Sequence, residues 1–259
     1  MNLRRPVTIA LIVIAVAAVL AGGALVYVQY VMPRSRTLDS VLARYGPAAR
    51  AAWKPLLARK GVNYPPRRLA ILVFKREQRV SIWAGNDNQP WRYIKTFPIL
   101  AASGVAGPKL RQGDYQVPEG VYRIELLNPA SSYHLSMKVD YPNAFDRRMA
   151  ARDKRTNLGG DIFIHGKNVS IGCVAIGDPA IEQLFTLVAD TGFQRVKVIM
   201  APNDLRVRGA AVSESMPLWV GQLYRDVAAA LAPFPVALES DSAFDVTGMS
   251  KAPKVFPIR

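Results

Sequence analysis

The chain has 259 residues, with 34 Lys or Arg against 19 Asp or Glu, a net charge of +15, 50% hydrophobic residues, 18 Gly and 19 Pro. That length fits one or two domains, and that composition excludes a disordered chain, a collagen and a polytopic membrane protein. A single cysteine, Cys173, excludes an intramolecular disulfide framework and a Cys-rich zinc module, and two histidines, His134 and His165, bound any imidazole chemistry.

No charged residue occurs from Pro6 to Pro33, and Val7 to Met32 is almost wholly apolar. A helix of that length spans a hydrocarbon core of about 30 Å. Arg4 and Arg5 precede it and predict a cytoplasmic N-terminus, so residues 1–33 read as a transmembrane signal-anchor. The expected localisation is the inner membrane, single-pass, with the C-terminal domain in the periplasm. A cleaved signal peptide is the alternative, with small residues at Ala21, Gly22, Gly23 and Ala24; the length of the apolar run favours a retained anchor. Between Arg34 and Arg79, twelve basic residues face two acids, Asp39 and Glu77. Such a stretch is a solvated helical face, or a contact for acidic headgroups or an anionic polymer. No base-reading module is recognisable, so nucleic acid is not an expected partner.

Residues 34–66 read as a basic helical linker. Leu38, Val41, Leu42 and Tyr45 form an apolar stripe, Gly46-Pro47 predicts a break, and Ala49, Trp53, Leu56 and Leu57 resume the period. From Leu69 the period changes. Leu69–Phe74, Val80–Trp83, Arg92–Phe97, Val121–Leu127, Tyr133–Val139, Asp161–His165 and Val196–Met200 read as strands, separated by turns such as Val117-Pro118-Glu119-Gly120 and Tyr141-Pro142-Asn143. One helix follows the cysteine, with Asp178 as its expected N-cap, Pro179 at N1 and Gly192 as its stop. Another is expected near Leu218–Leu231. The pattern is a β-rich α+β catalytic domain over 67–201, with residues 202–259 as a C-terminal helix and irregular tail packing on it.

Both rare residue types meet in the run from Gly159 to Cys173. A strand ending at His165, a loop over Gly166–Ser170 and a glycine at 172 return the chain toward Cys173. That arrangement suits nucleophilic catalysis, with His165 taking the thiol proton, the thiolate attacking a carbonyl carbon, and backbone N–H groups near Gly172 and Cys173 holding the oxyanion. On this reading Cys173 alkylates rapidly near neutral pH. The plain alternative is a buried apolar cysteine and a satisfied structural histidine.

His165-Gly166 followed by Ser170-Ile171-Gly172-Cys173 resembles the active-site signature of L,D-transpeptidase (YkuD-type) catalytic domains. Gly113-Asp114, Val117 to Tyr122, Asn128-Pro129, Tyr133 to Ser136 and Asp140 to Asn143 resemble the segments that lead to that site, so the resemblance spans roughly Leu69 to Met200. It implies a single L,D-transpeptidase-like β-sandwich with Cys173 as nucleophile, His165 as general base, a carbonyl near Gly166 orienting the ring, and no metal or organic cofactor. Cross-linking members carry Arg two positions after the cysteine, where this chain has Ala175. The short loop without that Arg is similar to the YafK-like branch, which includes an amidase that releases the major outer-membrane lipoprotein from peptidoglycan. The implied partners are peptidoglycan stem peptides and murein-attached lipoprotein, and the implied reaction is hydrolysis of an amide at a diaminopimelate residue. A true L,D-transpeptidase and an inert wall-binding module are the alternatives.

Around the expected site, Ser170 joins Gly166 and Gly172 as an orienting residue. His134, Tyr133, Ser136 and Lys109 are candidate substrate contacts, each weighed against a role in the strand, the loop or the solvated surface.

Overall fold

The computed structural model describes residues 36–236. The anchor expected over Val7–Met32 and the tail beyond residue 236 lie outside the described residues. Among the described residues no helix is long and apolar enough to cross a membrane.

Helix α1 (Leu38–Arg59) opens with a capping box, in which the Ser40 N–H donates to Thr37 Oγ1 and the Thr37 N–H donates to Ser40 Oγ. The break expected at Gly46-Pro47 does not occur. A proline inside a helix costs about 3 kcal/mol, and here tertiary packing outweighs it. Val41, Trp53 and Leu57 enter the main core, and Trp53 Nε1 donates to the Gln183 carbonyl. Gly46, lacking a Cβ, leaves room for the Arg50 guanidinium, which makes a two-pronged pair with Asp190 at 2.8 and 2.9 Å. The segment expected as a linker thus contributes its helix to the core.

Strands β1 (Arg68–Phe74), β2 (Arg79–Gly85) and β3 (Arg92–Pro98) form an antiparallel meander. Next come β4 (Gly120–Asn128), β5 (Ser136–Val139), helix α2 (Ala144–Arg152), β6 (Phe163–His165), β7 (Val174–Ala175), helix α3 (Asp178–Thr191), β8 (Val196–Ala201) and helix α4 (Val220–Leu231). All eight strands join one mixed sheet in the order β3-β2-β1-β8-β4-β5-β6-β7. Strand β4 holds its two parts together, pairing with β8 through residues 120–123 and with β5 through residues 124–128, with a register shift between Ile124 and Leu126.

The β-rich α+β class is as expected, but in place of the expected sandwich there is one curled sheet layered with helices. The reason lies in the strands. Leu69 to Phe74 are all buried, so β1 needs cover on both faces. Leu69, Ile71 and Val73 pack in the same core as Trp53 and Leu57 of α1 and Ile181, Leu184, Phe185 and Val188 of α3. Ala70, Leu72 and Phe74 face Leu223, Tyr224 and Val227 of α4.

Three other expectations shift. Strand β5 starts at Ser136 rather than Tyr133, because His134 adopts φ 74° and turns the chain. Helix α2, unexpected from the sequence, is capped by Asn143, whose side chain accepts from the Phe145 and Asp146 N–H groups. Gly177, not Asp178, is the N-cap of α3.

Candidate active site

Strands β5, β6 and β7 build the floor. His165 ends β6, level with Ser136 of β5 and Ala175 of β7. The chain then turns sharply. Gly166 sits where an added Cβ would fall 2.5 Å from Asp178 Oδ1 and 2.8 Å from the Tyr133 carbonyl oxygen, so no other residue fits without movement. Lys167 takes φ 55°, and its N–H donates to Asp178 Oδ1 at 2.7 Å. The carboxylate expected to cap α3 therefore fastens the turn after the histidine instead.

The His165 ring is 2% exposed. Its Nδ1 lies 2.6 Å from the Gly166 carbonyl oxygen. A carbonyl only accepts, so the proton sits on Nδ1 and Nε2 keeps a lone pair for use as a base. Tyr133 lies against the ring, with centroids 4.7 Å apart and planes at 46°. Burial pushes the imidazole below the usual histidine range, opposed by the bond to Gly166.

Cys173 is half-buried, and its Sγ lies 3.6 Å from the Asp161 carbonyl oxygen. Burial pushes its thiol up, opposed by a backbone hydrogen bond at Phe163. Both shifts favour a resting pair of neutral thiol and neutral imidazole. Ser170 grips the cysteine backbone: the Cys173 N–H donates to Ser170 Oγ at 2.9 Å, and the same hydroxyl donates to the Cys173 carbonyl at 2.6 Å. One of the N–H groups expected to hold an oxyanion is therefore engaged at rest. Gly172, at φ 120°, gives the backbone a conformation that only glycine adopts readily.

His165 and Cys173 line one cavity of about 270 Å³, together with Ala101, Ala102, Ser103, Tyr133, Asn168, Val169, Ser170 and Ile171. No Lys, Arg, Asp or Glu is among those residues. Ala175, at the position where cross-linking relatives carry Arg, is fully buried in β7, and its backbone pairs with Ala101.

The other candidates separate. Tyr133 reaches the cavity. Ser136 is buried in β5 beneath it. His134 turns away, with Nε2 2.7 Å from Glu182 Oε1 on α3 and its ring edge-on to Tyr45 of α1. Lys109 is buried, and its ammonium donates to Asp114 Oδ1 at 2.6 Å and to the Arg111 carbonyl at 2.9 Å. The structure thus gives His134 and Lys109 internal partners, Glu182 and Asp114. Sequence reasoning missed Ala101 to Ser103, Asn168, Val169 and Ile171, small or apolar residues that carry no chemical signal. It also missed the clamp by Asp178, whose signal, an acid just before a proline-started helix, points equally to a cap. Among the described residues no group of three or more His, Cys, Asp or Glu side chains is placed to hold a metal ion.

The curled sheet with a histidine and a cysteine converging at one edge defines a class. The family model of the YkuD L,D-transpeptidase catalytic domain matches residues 68–200, and the chain belongs to that family. It is 34% identical over 120 residues to a protein of Escherichia coli (strain K12) that carries the name L,D-transpeptidase YafK, and equally to its counterpart in Escherichia coli O157:H7. That match covers 46% of this chain and 46% of each relative, so the chain spans about half the length of the curated relatives it matches. Among solved structures, the helical cell shape determining protein Pgp2 from Campylobacter jejuni is 23% identical with a TM-score of 0.44, covering 53% of this chain and 48% of that one. L,D-transpeptidase 1 of Mycobacterium tuberculosis is 12% identical with a TM-score of 0.30, covering 52% and 62%.

Proposed function

We propose that this chain is a peptidoglycan amidase that cleaves an amide at a diaminopimelate stem-peptide residue, such as the link to a murein-attached lipoprotein, through a thioester on Cys173. The observation that carries the reading is the shared cavity of Cys173 and His165, with Nδ1 of the ring bonded to Gly166 so that Nε2 is the basic nitrogen. Sγ attacks the amide carbonyl carbon while its proton passes to His165 Nε2. The C–N bond breaks as that proton moves to the leaving nitrogen, which departs as an amine. Water then attacks the thioester carbonyl carbon as His165 Nε2 accepts its proton; the C–S bond breaks, the acid leaves, and that proton returns to Sγ. General acid–base help of this kind contributes about 10²- to 10⁴-fold.

Hydrolysis stands ahead of cross-linking in this reading because, among the described residues, the cavity lining carries no cation for the carboxylate of an incoming peptide. Ala175 is buried where a guanidinium would be needed, and among the described residues no Lys or Arg lines the site. The proposed setting is the periplasmic face of the inner membrane, with Val7–Met32 as the anchor, and protease protection of the N-terminus in spheroplasts tests it.

The test of the reaction is mass spectrometry of products from intact sacculi that carry bound lipoprotein, incubated with the protein and with Cys173→Ala. Lipoprotein or trimmed stem peptides released by the unaltered protein alone is the expected result. New direct peptide cross-links would make the enzyme a transpeptidase, and no change in either sample would leave a binding module.

A further inference from the structure

Away from the cleft, the middle of the sheet carries an arrangement that neither folding nor the proposed chemistry requires. Lys197 of β8 is the direct cross-strand partner of Arg123 of β4. Directly paired residues project from the same face, and like charges placed opposite each other destabilise a sheet. Both side chains are exposed. On the other side of β8, Leu69 pairs with Val196, and the residues just before them are Arg68 and Arg195. Four cations thus gather across three neighbouring strands spaced about 4.8 Å apart.

The row sits where the helix cover ends. Ile199, two positions beyond Lys197, packs in the core under α4, whereas Lys197 itself is exposed. Among the described residues, Arg123, Arg195 and Lys197 form no ion pair. Arg68 lies over the Trp91 ring at 4.2 Å and donates to the Gln89 carbonyl at 3.0 Å, which leaves its charge uncompensated. Among the described residues one carboxylate, Asp140, lines these grooves, and its Oδ1 accepts the Arg123 backbone N–H at 2.8 Å. Glu125, further along β4, is taken by Lys138 at 3.6 Å.

The cations line concave surface. A groove of about 620 Å³ runs past Arg68, Trp91, Arg195 and Lys197, and one of about 460 Å³ past Arg123, Asp140, Arg195 and Lys197. Arg195 and Lys197 line both, so the two grooves adjoin at those side chains, a trough in two parts. A trough suits a chain, whereas a bilayer surface calls for protruding cations interleaved with large apolar side chains, and Val121 is the exposed apolar residue here.

We infer that the trough over β1, β8 and β4 is a second binding site, for a carboxylate-bearing polymer, and that it holds the peptide-substituted wall polymer while the cleft works on one of its bonds. The choice of polymer rests on the proposed reaction; the need for an anion rests on the paired cations alone. Carboxylates entering the trough relieve the Arg123–Lys197 repulsion, so binding is steered by charge and weakened by salt.

The test uses the full chain carrying Cys173→Ala, so that nothing is cleaved, in co-sedimentation with purified sacculi. The expected result is retention at low salt and release at about 1 M, where the screening length is about 3 Å. Adding Arg123→Gln and Lys197→Gln lowers the retained fraction about ten-fold. In the otherwise unaltered protein the same pair leaves turnover of a small soluble stem-peptide fragment unchanged. Equal retention of the two forms overturns the inference. So does an equal loss of binding to phosphatidylglycerol vesicles without loss on sacculi, which assigns the trough to the membrane. Absence of turnover on every peptide would refute the amidase reading and leave this binding result standing.

Discussion

Two groups of reactive side chains in this protein differ in how far their bonding is completed. Behind the cleft, Lys75 Nζ donates to Glu119 Oε1 at 2.9 Å, to the Gly107 carbonyl at 3.0 Å and to the Val117 carbonyl at 3.1 Å. Glu119 also accepts the Gly107 N–H and, through Oε2, the Tyr224 hydroxyl, both at 2.9 Å. Burial pushes the Lys75 ammonium down and Glu119 opposes that shift, while all three donors are used. In the cleft, among the described residues, Cys173 Sγ meets the Asp161 carbonyl at 3.6 Å and a backbone bond at Phe163, and His165 bonds through Nδ1. A buried polar group with every bond made is structure. A half-buried thiol and a buried imidazole with bonding capacity to spare, beside a cavity, fit the proposed chemistry.

The largest break in that comparison is at the histidine. Removing the base in His165→Ala lowers turnover by about 10²- to 10⁴-fold, with circular dichroism and melting close to the unaltered protein. The pH profile sharpens the point. Because burial raises the thiol and lowers the imidazole, the rate of Cys173 alkylation climbs with pH to a midpoint above the ordinary thiol range. A midpoint below neutrality would mean a preformed thiolate–imidazolium pair and would defeat the order of proton transfer given above.

The converse prediction falls on the completed pair. Lys75→Met leaves Glu119 buried without its cation and costs about 3 to 5 kcal/mol of stability. Urea unfolding measures this. Turnover by the protein that remains folded changes little, since neither residue reaches the cavity. Loss of activity with stability intact would place Lys75 in the mechanism and erase the distinction.

The candidate site was more legible than the fold around it. A strand ending in His165, a glycine-bearing loop and Cys173 are local in sequence, and local spacing is what a sequence displays. The strands of the middle sheet were legible for the same reason, as runs such as Leu69–Phe74. What escaped was set by distant partners. The continuity of α1 through Pro47 depends on bonds to Asp190 and Gln183 that span 140 and 130 residues. The single curled sheet depends on β4 serving two neighbours. Asp178 reads as a helix cap until the turn at Lys167 is seen to need it, and Lys109 reads as a surface cation until Asp114 is placed beside it.

A smaller effect tests whether partial bonding always signals function. Asp146, in α2, is buried with Tyr122 at 3.3 Å, and burial pushes its carboxyl up to about 6 from 3.8, opposed by the Asn143 N–H. A raised carboxyl stabilises the fold below the unfolded value, and that contribution is lost as pH rises through about 6. By pH 8 the ionised group costs about 3 kcal/mol. Asp146→Asn keeps an acceptor for Asn143 and removes the charge, so the unaltered protein loses stability between pH 4.5 and 7.5 while the variant loses far less. Equal pH dependence in both proteins would show that the carboxylate ionises there without penalty.

The smallest effect is the most informative about the cleft. Ser170 Oγ takes the Cys173 N–H and gives its own proton to the Cys173 carbonyl, so one hydroxyl fixes both ends of the nucleophile's backbone. Ser170→Ala removes both bonds, each worth about 1 kcal/mol. Two outcomes follow from different roles. If the clamp holds Sγ in position toward His165, kcat falls about five- to ten-fold with KM unchanged, because the loss is confined to attack. If the clamp withholds the N–H from the oxyanion, freeing it raises kcat instead, since a preorganised donor acts where negative charge develops. The first is expected, because a hydroxyl that both accepts from and donates to one residue restrains it more than it screens it. A rise in kcat would make Ser170 a brake and turn the incomplete bonding of the cleft into a regulated state.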